Sequence, residues 1–403
     1  MLSLEDFRHI VPDETLAEIY AGARGLYGKR IVHLNATYQG GGVAEILYSL
    51  VLLMNDVGIN AGWRILHGSQ EFFEITKSFH NALQGAKLNL SERKKRIYLQ
   101  VNENFSKFTH LDHDCVIIHD PQPLSLIRYY TKSQPWIWRC HIDLTEPHEE
   151  LWDFLKAFLL QYDQIVFSSE KYLKKDLPID QRLMFPAINP LSQKNKDISK
   201  ETILEHITGA GIPTDKPIIT QVSRLDPWKD PEGVIDVFNL VKEKVDCRLV
   251  FCYNVASDDP EGIRMYNKVW RKANKFLKKG DILFVVGNNE TLVNAIQRYS
   301  NVIIQKSTRE GFCLAVTEAL WKKTPVVASN VGGIPMQIEN GRNGFLLEPK
   351  DTEGFADRIV HLLKNPKESE NLGNQGRETV RENFLITRLL SDYLYMLNSL
   401  IGE

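Results

Sequence analysis

The sequence predicts an α/β protein with two domains, each built around a doubly wound parallel sheet. The chain has 403 residues, more than a single hydrophobic core usually holds. Short apolar runs alternate with helical patterns in two successive series, as in parallel sheets whose strands are joined by helices. A polar stretch with prolines, residues 185–200, separates the two series. We therefore predict domains at 1–188 and 201–380, a linker at 189–200 and a terminal segment at 381–403.

The first series begins with an amphipathic helical pattern that ends near Gly28 and carries no distinctive chemistry. Period and composition then predict strands and helices in alternation. The strands are expected at 30–35, 62–66, 115–119, 136–140 and 164–167, and the helices around 71–83, 91–108 and 148–160.

A glycine cluster, Gly40-Gly41-Gly42, follows the first strand and precedes a helix that begins near Val43. This order is typical of a phosphate or sugar cradle at the carboxyl edge of a parallel sheet. Glycine lets the backbone approach a ligand where a side chain would collide. The cluster is not Gly-x-Gly-x-x-Gly and no acidic residue follows at a suitable distance, which argues against a nicotinamide cofactor. A plain flexible loop is the alternative.

Polar residues follow two further strands of the first series. One strand runs into His119-Asp120-Pro121-Gln122-Pro123 and the next into Arg139-Cys140-His141-Ile142-Asp143. Ligands of parallel sheets bind beyond the carboxyl ends of the strands. For His141 a purely structural role is the alternative. The candidates for contacts with ligand hydroxyls are Asp120, Gln122, Arg139 and His141.

The second series predicts a second sheet, and the loop after its first strand carries Arg224 and Lys229. Two cations five residues apart at the ligand edge could clamp a diphosphate, the arginine bidentately and the lysine as a point charge. A solvated loop is the alternative. The predicted strands are 217–222, 247–253, 282–286, 302–305, 325–329 and 344–347.

The stretch from Glu310 to Glu318 combines a glycine turn, Gly311, with the start of a helix after an apolar strand. Backbone amides at a helix start favour an anion. The two glutamates are eight positions apart, slightly over two helical turns, so both can face one crevice. Phosphate and hydroxyl recognition together suit a sugar nucleotide. The alternative is an ordinary strand-to-helix turn with two solvated glutamates.

Charge and cysteine content limit the classes of binding partner and the cellular compartment that we expect. The formal net charge is −2 and neither sign dominates, so nucleic acid and anionic membranes are not expected as partners. No apolar run is long enough to span a bilayer. The five cysteines form no Cys-x-x-Cys pair and are expected to be buried free thiols in a reducing cytoplasm. Cys313, beside the glycine turn, is a possible nucleophile by residue type, but no histidine lies near it in the sequence, which argues against that role.

Four features resemble those of the retaining GT-B glycosyltransferases of family 4. They are Gly40-Gly41-Gly42, His141, the Arg224…Lys229 pair and Glu310-x7-Glu318. Within that family the chain is especially similar to the trehalose glycosyltransferring synthases. The stretches that carry the closer likeness are 40–47, 77–85, 119–123 and 139–143.

The resemblance implies a GT-B fold, in which two Rossmann-like domains face each other across a cleft and the last helix crosses back to the first domain. It implies that an ADP- or UDP-glucose donor binds the C-terminal domain and free glucose the N-terminal one. The implied donor contacts are Gly41, Gly42, Arg224, Lys229, Glu310, Gly311, Phe312, Cys313, Leu314 and Glu318. The implied acceptor contacts are Asp120, Gln122, Arg139 and His141.

The implied catalytic residues are His141, Arg224, Lys229 and Glu310. His141 would contact the transferred glucose, and the two cations would offset charge on the departing diphosphate. Cys313 is a departure, since many relatives carry glycine at that position. The implied reaction is reversible, yields trehalose and proceeds by front-face attack.

On this interpretation no cofactor is required, and Mg²⁺ can accompany the diphosphate without a fixed site. Asp112-His113-Asp114 has the Asp-x-Asp spacing of a metal motif in some glycosyltransferases, but it precedes its strand and is interpreted as a solvated turn. The small-molecule partners are the nucleotide glucose, glucose and trehalose, and a homodimer is compatible with the resemblance. Rival hypotheses are a sucrose-type synthase, a disaccharide phosphorylase, a sugar-nucleotide epimerase and a non-catalytic sensor.

Overall fold

The computed structural model describes residues 2–38, 41–254 and 260–402. The chain forms two compact units. One contains the residues up to Ala187 together with those from Ile386 onward, and the other contains Ile188–Leu385. Each unit has its own six-stranded sheet, and every strand pair in both sheets is parallel. The predicted α/β class with two parallel sheets is confirmed.

The sheet of the first unit has the strand order β2-β1-β3-β4-β5-β6. Its strands are β1 (Arg30–Asn35), β2 (Asn60–Ile65), β3 (Cys115–His119), β4 (Trp136–Arg139), β5 (Gln164–Phe167) and β6 (Asp180–Leu183). Helix α1 (Asp13–Ala23) precedes β1, and the helices between the strands are α2 (Gly42–Asp56), α3 (Gln70–Leu83), α4 (Glu92–Ser106) and α5 (Glu149–Leu159). Strands β3, β4 and β5 are buried along their whole length, because helices cover both faces of such a sheet.

The order of strands reverses between β1 and β3, which are hydrogen-bonded neighbours. A crevice opens beyond the carboxyl ends of the strands at such a reversal, and ligands of open α/β sheets bind there. The loops leaving β1 and β3 carry Gly41 and Asp120, and His119 pairs in register with Arg139 of β4. The sequence-predicted polar residues of this unit are therefore attached to the strand ends at its expected ligand edge.

The sheet of the second unit has the order β12-β11-β10-β7-β8-β9, with the reversal between β7 and β10. Its strands are β7 (Ile218–Val222), β8 (Arg248–Tyr253), β9 (Ile282–Val286), β10 (Val302–Gln305), β11 (Val326–Ser329) and β12 (Phe345–Leu347). Its helices are α6 (Lys200–Gly209), α7 (Pro231–Lys244), α8 (Pro260–Leu277), α9 (Glu290–Tyr299), α10 (Leu314–Trp321), α11 (Thr352–Lys364) and α12 (Pro366–Asn383).

The last helix, α13 (Ile386–Ile401), belongs to the first unit. It packs against α1 and α2. Asn398 Nδ2 donates to the Gly22 carbonyl at 2.7 Å, and Arg388 Nη2 donates to the Phe185 carbonyl at 2.8 Å. The chain thus completes the core of its first unit only with its final residues.

Strand β6 is the element that the sequence pattern did not predict. Its four residues, Asp-Gln-Arg-Leu, contain one apolar side chain and none of them is buried. An edge strand of this kind needs no apolar run because only one of its sides pairs with the sheet. No helix in the described part of the chain is both long and apolar enough to cross a membrane.

Candidate active site

The loops that follow β7 and β10 lie on either side of the strand-order reversal in the second unit, and a backbone hydrogen bond joins them. The Thr308 amide donates to the Trp228 carbonyl at 2.7 Å. Gln221 Nε2, at the end of β7, donates to the Lys229 carbonyl at 2.8 Å. The first bond holds the predicted cation loop against the loop that carries Glu310, and the second fixes the cation loop to its own strand.

Lys229 and Glu310 form a partly buried ion pair between Nζ and Oε2, with side chains 16% and 11% exposed. Ser307 Oγ donates to the same carboxylate oxygen at 3.4 Å. Burial opposes the charge on Lys229, but the Glu310 carboxylate, with Asp226, outweighs it and raises the pKa of the ammonium. Lys229 therefore remains a cation at neutral pH. The pair places one positive and one negative group where a ligand of an α/β sheet binds.

Arg224 lies on the same loop as Lys229 but is far more exposed. Its Nη2 is 3.5 Å from Asp226 Oδ2, and 49% of its side chain is accessible. Asp226 also accepts the Trp228 amide at 3.0 Å through Oδ1, which caps the short turn leading to Lys229. The loop thus offers one buried cation and one accessible cation, and only the buried one is paired with Glu310.

A second ion pair lies beside the first, and the sequence pattern gave no sign of it. Lys306 Nζ donates to Asp230 Oδ2 at 2.5 Å, and the lysine side chain is 4% exposed. Asp230 has φ 45° and also caps α7 by accepting the Gly233 amide at 3.0 Å. A Cβ at Gly233 would lie 2.1 Å from Asp230 Oδ2 and 2.6 Å from Lys306 Nζ, so a larger residue here would displace the side chains of this ion pair.

The start of α10 is held by contacts with the next loop. Gln337 Nε2 donates to the Phe312 carbonyl at 2.5 Å, and its Oε1 accepts the Thr317 hydroxyl at 2.6 Å. Cys313 precedes the helix with φ 72°. Burial raises the pKa of its thiol, which argues against the nucleophile that was considered. All five cysteines are buried and free.

Glu318 lies on α10 and is 1% exposed, so it is not a solvated glutamate. Lys194 Nζ is 2.8 Å from its Oε1, and Gln297 Nε2 donates to its Oε2 at 3.3 Å. Lys194 falls within the predicted linker, where nothing in the sequence pattern distinguished it. A carboxylate oxygen can accept more than one hydrogen bond, so each oxygen retains capacity for a ligand hydroxyl.

Gly41 caps α2 in the first unit, and Gly42 is the first residue of the helix. Gly40 lies outside the described residues. At Gly41 φ is −162°, an extended conformation that any residue adopts, and an added Cβ would meet no atom within 4 Å. The folded chain itself therefore does not require glycine at this position.

Asp120 has φ 62° and directs Oδ1 to the His141 amide, which donates to it at 2.8 Å. Its own amide donates to the Arg139 carbonyl at 2.9 Å. Burial raises the pKa of the Asp120 carboxyl to about 7, although the His141 amide and Arg139 act in the opposite direction. Asp120 thus fixes the backbone of His141. Gln122 lies two residues farther on, half-buried, and its carbonyl accepts Asn102 Nδ2 at 3.1 Å.

Arg139 requires a correction. It was predicted to contact an acceptor hydroxyl, but it is 1% exposed. Its Nη1 donates to the Phe167 carbonyl at 3.3 Å and its Nη2 to the Met184 carbonyl at 2.5 Å. The guanidinium therefore points into the protein and binds the last residue of β5 and the residue that follows β6. This placement argues against a direct contact with a sugar.

His141 is the end of a row of three histidines, of which the sequence analysis singled out only His141. His33 Nδ1 lies 3.0 Å from His119 Nε2, and His119 Nδ1 lies 3.0 Å from His141 Nε2. His33 and His119 are 0% and 1% exposed. The only sign of this row in the sequence was His33, a histidine within an apolar strand. It did not show that the side chains of neighbouring strands are in contact.

Asp112 and His113 lie before β3, at the opposite edge of the sheet, with Asp112 bound to Arg30 at 3.3 Å and its side chain 77% exposed. This agrees with a solvated turn. Among the described residues, no three His, Cys, Asp or Glu side chains are arranged to hold a metal ion.

Comparison with known proteins gives consistent matches along the chain. The family described as "Trehalose synthase, N-terminal domain" matches residues 33–174, and "Glycosyl transferases group 1" matches residues 203–379. The chain is 46% identical to the trehalose synthase of Thermococcus litoralis over 98% of this chain and 97% of that one. It is 41% identical to the trehalose synthase of Rubrobacter xylanophilus over 99% and 97%.

Among solved structures, a UDP-forming α,α-trehalose-phosphate synthase from Burkholderia xenovorans matches with a TM-score of 0.75. The match covers 93% of this chain and 100% of that one at 15% sequence identity. At this identity the likeness concerns the fold alone.

Proposed function

The chain belongs to the trehalose synthase family of GT-B glycosyltransferases, and we propose that it transfers glucose from ADP- or UDP-glucose to free glucose. The products are trehalose and a nucleoside diphosphate. The donor anomeric configuration is retained, and the reaction is reversible. The observation that carries the proposal is the partly buried Lys229–Glu310 pair at the strand-order reversal of the second sheet.

In this proposal the two cations of the β7 loop receive the diphosphate. Lys229 is already charged and largely desolvated, so its attraction to a leaving phosphate is stronger than it would be in water. Arg224 is accessible and can form a bidentate contact with a second phosphate oxygen. Both cations offset the negative charge that develops as the bond to the diphosphate breaks.

The two glutamates receive the hydroxyl groups of the donor. When phosphate takes over the Lys229 ammonium, Glu310 is freed to accept hydrogen bonds from the donor glucose. Glu318 accepts the ribose hydroxyls beside Lys194 and Gln297. Amides of Gly311 to Leu314 at the start of α10 contact the sugar and the phosphate.

In the first unit, Gly41, Gly42, Asp120, Gln122 and His141 are the proposed contacts. Gly41 allows the backbone to approach the donor closely. A Cβ at this position would meet no protein atom within 4 Å, so the fold itself does not explain the glycine. Asp120 and Gln122 bind the acceptor glucose. His141 contacts the transferred glucose.

The chemical step needs no covalent enzyme intermediate. The acceptor hydroxyl oxygen attacks the anomeric carbon on the face from which the diphosphate leaves. The bond between that carbon and the phosphate oxygen breaks, and the departing oxygen takes the hydroxyl proton. No cofactor is required in this proposal, and Mg²⁺ accompanies the diphosphate without a fixed protein site. The enzyme acts in the cytoplasm, with no nucleic acid or membrane partner.

The test is to incubate the purified protein with a panel of nucleotide glucoses and sugar acceptors and to identify products by NMR. Trehalose from free glucose, with its symmetric α,α linkage, supports the proposal. A phosphorylated product or sucrose would reassign the acceptor. Release of glucose 1-phosphate from trehalose and inorganic phosphate, with no dependence on a nucleotide, would overturn the role of the diphosphate. The Glu310→Gln protein serves as the inactive control.

A further inference from the structure

Three histidines of the first unit form a continuous row from its core to the expected ligand edge. His33 comes from β1, His119 ends β3, and His141 follows β4. The His119 and His141 rings are stacked with centroids 5.3 Å apart and an interplanar angle of 14°. The His33 and His119 centroids are also 5.3 Å apart. The two nitrogen–nitrogen distances of 3.0 Å are those of hydrogen bonds.

All three imidazoles are neutral at neutral pH. Burial lowers the pKa of His33 to about 3. Burial, then the neighbouring histidines and Arg139, lowers the pKa of His119 well below its ordinary value. Burial and Arg139 do the same for His141.

A neutral imidazole carries one N–H and one bare nitrogen. His119 uses both nitrogens within the row, so it must donate at one and accept at the other. The direction of one hydrogen bond therefore sets the direction of the other. Either each ring carries its hydrogen on Nδ1 or each carries it on Nε2.

The buried end of the row selects between the two arrangements. His33 Nε2 is buried and has no hydrogen-bond partner among the described residues. With hydrogens on Nε2, this atom would be an unpaired buried donor, which is rarer in proteins than an unpaired acceptor. The Tyr393 ring meets His33 in a T-shaped contact with centroids 5.6 Å apart, but a ring face is only a weak acceptor. The arrangement with hydrogens on Nδ1 is therefore favoured.

We propose that His33 and His119 are positioning residues that hold His141 in the Nδ1–H tautomer, so that His141 presents a fixed N–H donor to a hydroxyl of the sugar. The ligand part of this inference rests on the proposed function. The tautomer itself does not, because it is inferred from the geometry of the histidine row and from the unpaired His33 nitrogen. Asp120 contributes by holding the His141 backbone through its amide.

The test has one measurement that needs no activity. Nitrogen-15 spectra of the full-length protein with ring-labelled histidine distinguish protonated from bare ring nitrogens, and His141→Gln assigns the His141 signals. We expect His141 to be protonated on Nδ1 near pH 7.5. A signal showing Nε2–H, or an even mixture, overturns the proposal even if the protein makes trehalose. An Nδ1–H tautomer in a protein without transferase activity would instead reject the proposed function alone.

A pair of variants at His33 tests whether this buried residue controls the tautomer of His141. His33→Leu removes the donor to His119, so His141 should become a mixture of tautomers, and kcat/KM for transfer should fall about tenfold, the effect of one hydrogen bond. His33→Asn keeps an amide group near the position of Nδ1 and should restore both. His113→Gln, on the turn before β3, should change neither.

An unchanged His141 tautomer in His33→Leu would refute the control by His33. If that variant fails to fold, the wild-type spectrum and the His33→Asn spectrum decide the question. A merely structural role for His33 predicts loss of thermal stability without any change in the His141 tautomer.

Discussion

In the proposed function, Glu310 is the residue that distinguishes diphosphate binding from glucose transfer, because its carboxylate pairs with Lys229 in the structure. A phosphate that enters must compete with this carboxylate for the ammonium. Binding of the diphosphate and release of Glu310 are then two aspects of one exchange. The same exchange would place a free carboxylate beside the sugar only when the nucleotide is present.

Glu310→Gln should therefore reduce transfer by at least about a hundredfold while leaving the affinity for nucleoside diphosphate unchanged or higher. Without a ligand, Lys229 loses its buried partner and the protein should lose about 3 kcal/mol of stability. Thermal unfolding with and without nucleoside diphosphate, together with calorimetry, measures these effects. The exposed Glu290 on α9 provides the control Glu290→Gln. Full transfer activity in Glu310→Gln would remove Glu310 from the site.

Asp120 gives a pH-dependent prediction with a definite sign. In the fold its carboxyl has a pKa of about 7 instead of 3.8, chiefly because of burial. Between about pH 4 and pH 7 the unfolded chain has released this proton and the folded chain retains it. The stability associated with Asp120 therefore falls as pH rises through this range and stays low above it.

Asp120→Asn keeps an oxygen for the His141 amide, tolerates the positive φ and cannot ionise. Its melting temperature should exceed that of the wild type at pH 8 by about 3 °C or more, roughly 1 kcal/mol, and by much less at pH 4.5. Asp120→Ala should be destabilised at both pH values, because alanine resists the left-handed conformation. A difference between Asn and wild type that does not vary with pH would contradict the raised pKa. The glucose KM of the Asn variant separately reports on the acceptor contact.

The residue types of the candidate site could be predicted from the sequence, but the directions of their side chains could not. Arg139 is the last residue of β4 and His141 follows that strand, yet Arg139 turns into the protein to bind the Phe167 and Met184 carbonyls. Strand alternation by itself does not show which of them reaches a ligand when both faces of the sheet are covered. His33 and Lys194 were missed because their partners are distant in the chain, and their roles depend on contacts that pattern does not encode.

Two loop glycines, Gly333 and Gly41, differ in the space that the fold leaves for a side chain. A Cβ at Gly333 would lie 2.7 Å from the Gly311 carbonyl oxygen and 2.9 Å from Phe312 Cα. Gly333 thus permits the loop before α10 to pack closely. Gly41 makes no such contact and has an extended backbone. Close packing of the fold thus explains the glycine at position 333. It does not explain the glycine at position 41, where we propose that a ligand approaches the backbone.

This difference predicts opposite results for two alanine substitutions. Gly333→Ala should lower stability by about 1–3 kcal/mol, because backbone atoms must move, and should weaken nucleotide binding by shifting residues 311–313. Gly41→Ala should fold with an unchanged melting temperature but raise the donor KM. Gly209→Ala, where a Cβ also meets nothing, is the control for both. Unaltered donor kinetics in Gly41→Ala would show that no ligand approaches this glycine closely.

Most strands could be predicted from the sequence because parallel strands buried on both faces are continuous apolar runs. Strands β3, β5, β9 and β10 begin and end at the predicted residues. Strand β6 could not be predicted, since its partner β5 supplies its hydrogen bonds and its own side chains are not buried. The loops that carry the candidate site could be located by their position after strands, whereas their internal hydrogen bonds could not.

At the scale of the whole molecule, two sheets were predictable from two alternating series, but the membership of the last helix was not. An apolar stripe on α13 shows only that the helix packs against something. The sequence pattern does not show that its partners are α1 and α2, more than three hundred residues earlier. The family resemblance supplied that expectation, and the first unit indeed contains the residues from Ile386 onward.

This arrangement predicts that damage to α13 loosens the first unit and spares the second. Leu390 is fully buried on α13, so Leu390→Ala should cost about 2–5 kcal/mol. Because each unit has its own core, hydrogen exchange should accelerate in the strands β1 to β6 but not in β7 to β12. Transfer should fall, while nucleoside-diphosphate affinity, which the proposed function assigns to the second unit, should persist. Tyr395→Ala, on the same helix and 77% exposed in the wild type, is the matched control. Equal acceleration of exchange in both sheets would mean that the two units unfold as one cooperative body, and the assignment of α13 to the first core would then have no consequence for stability.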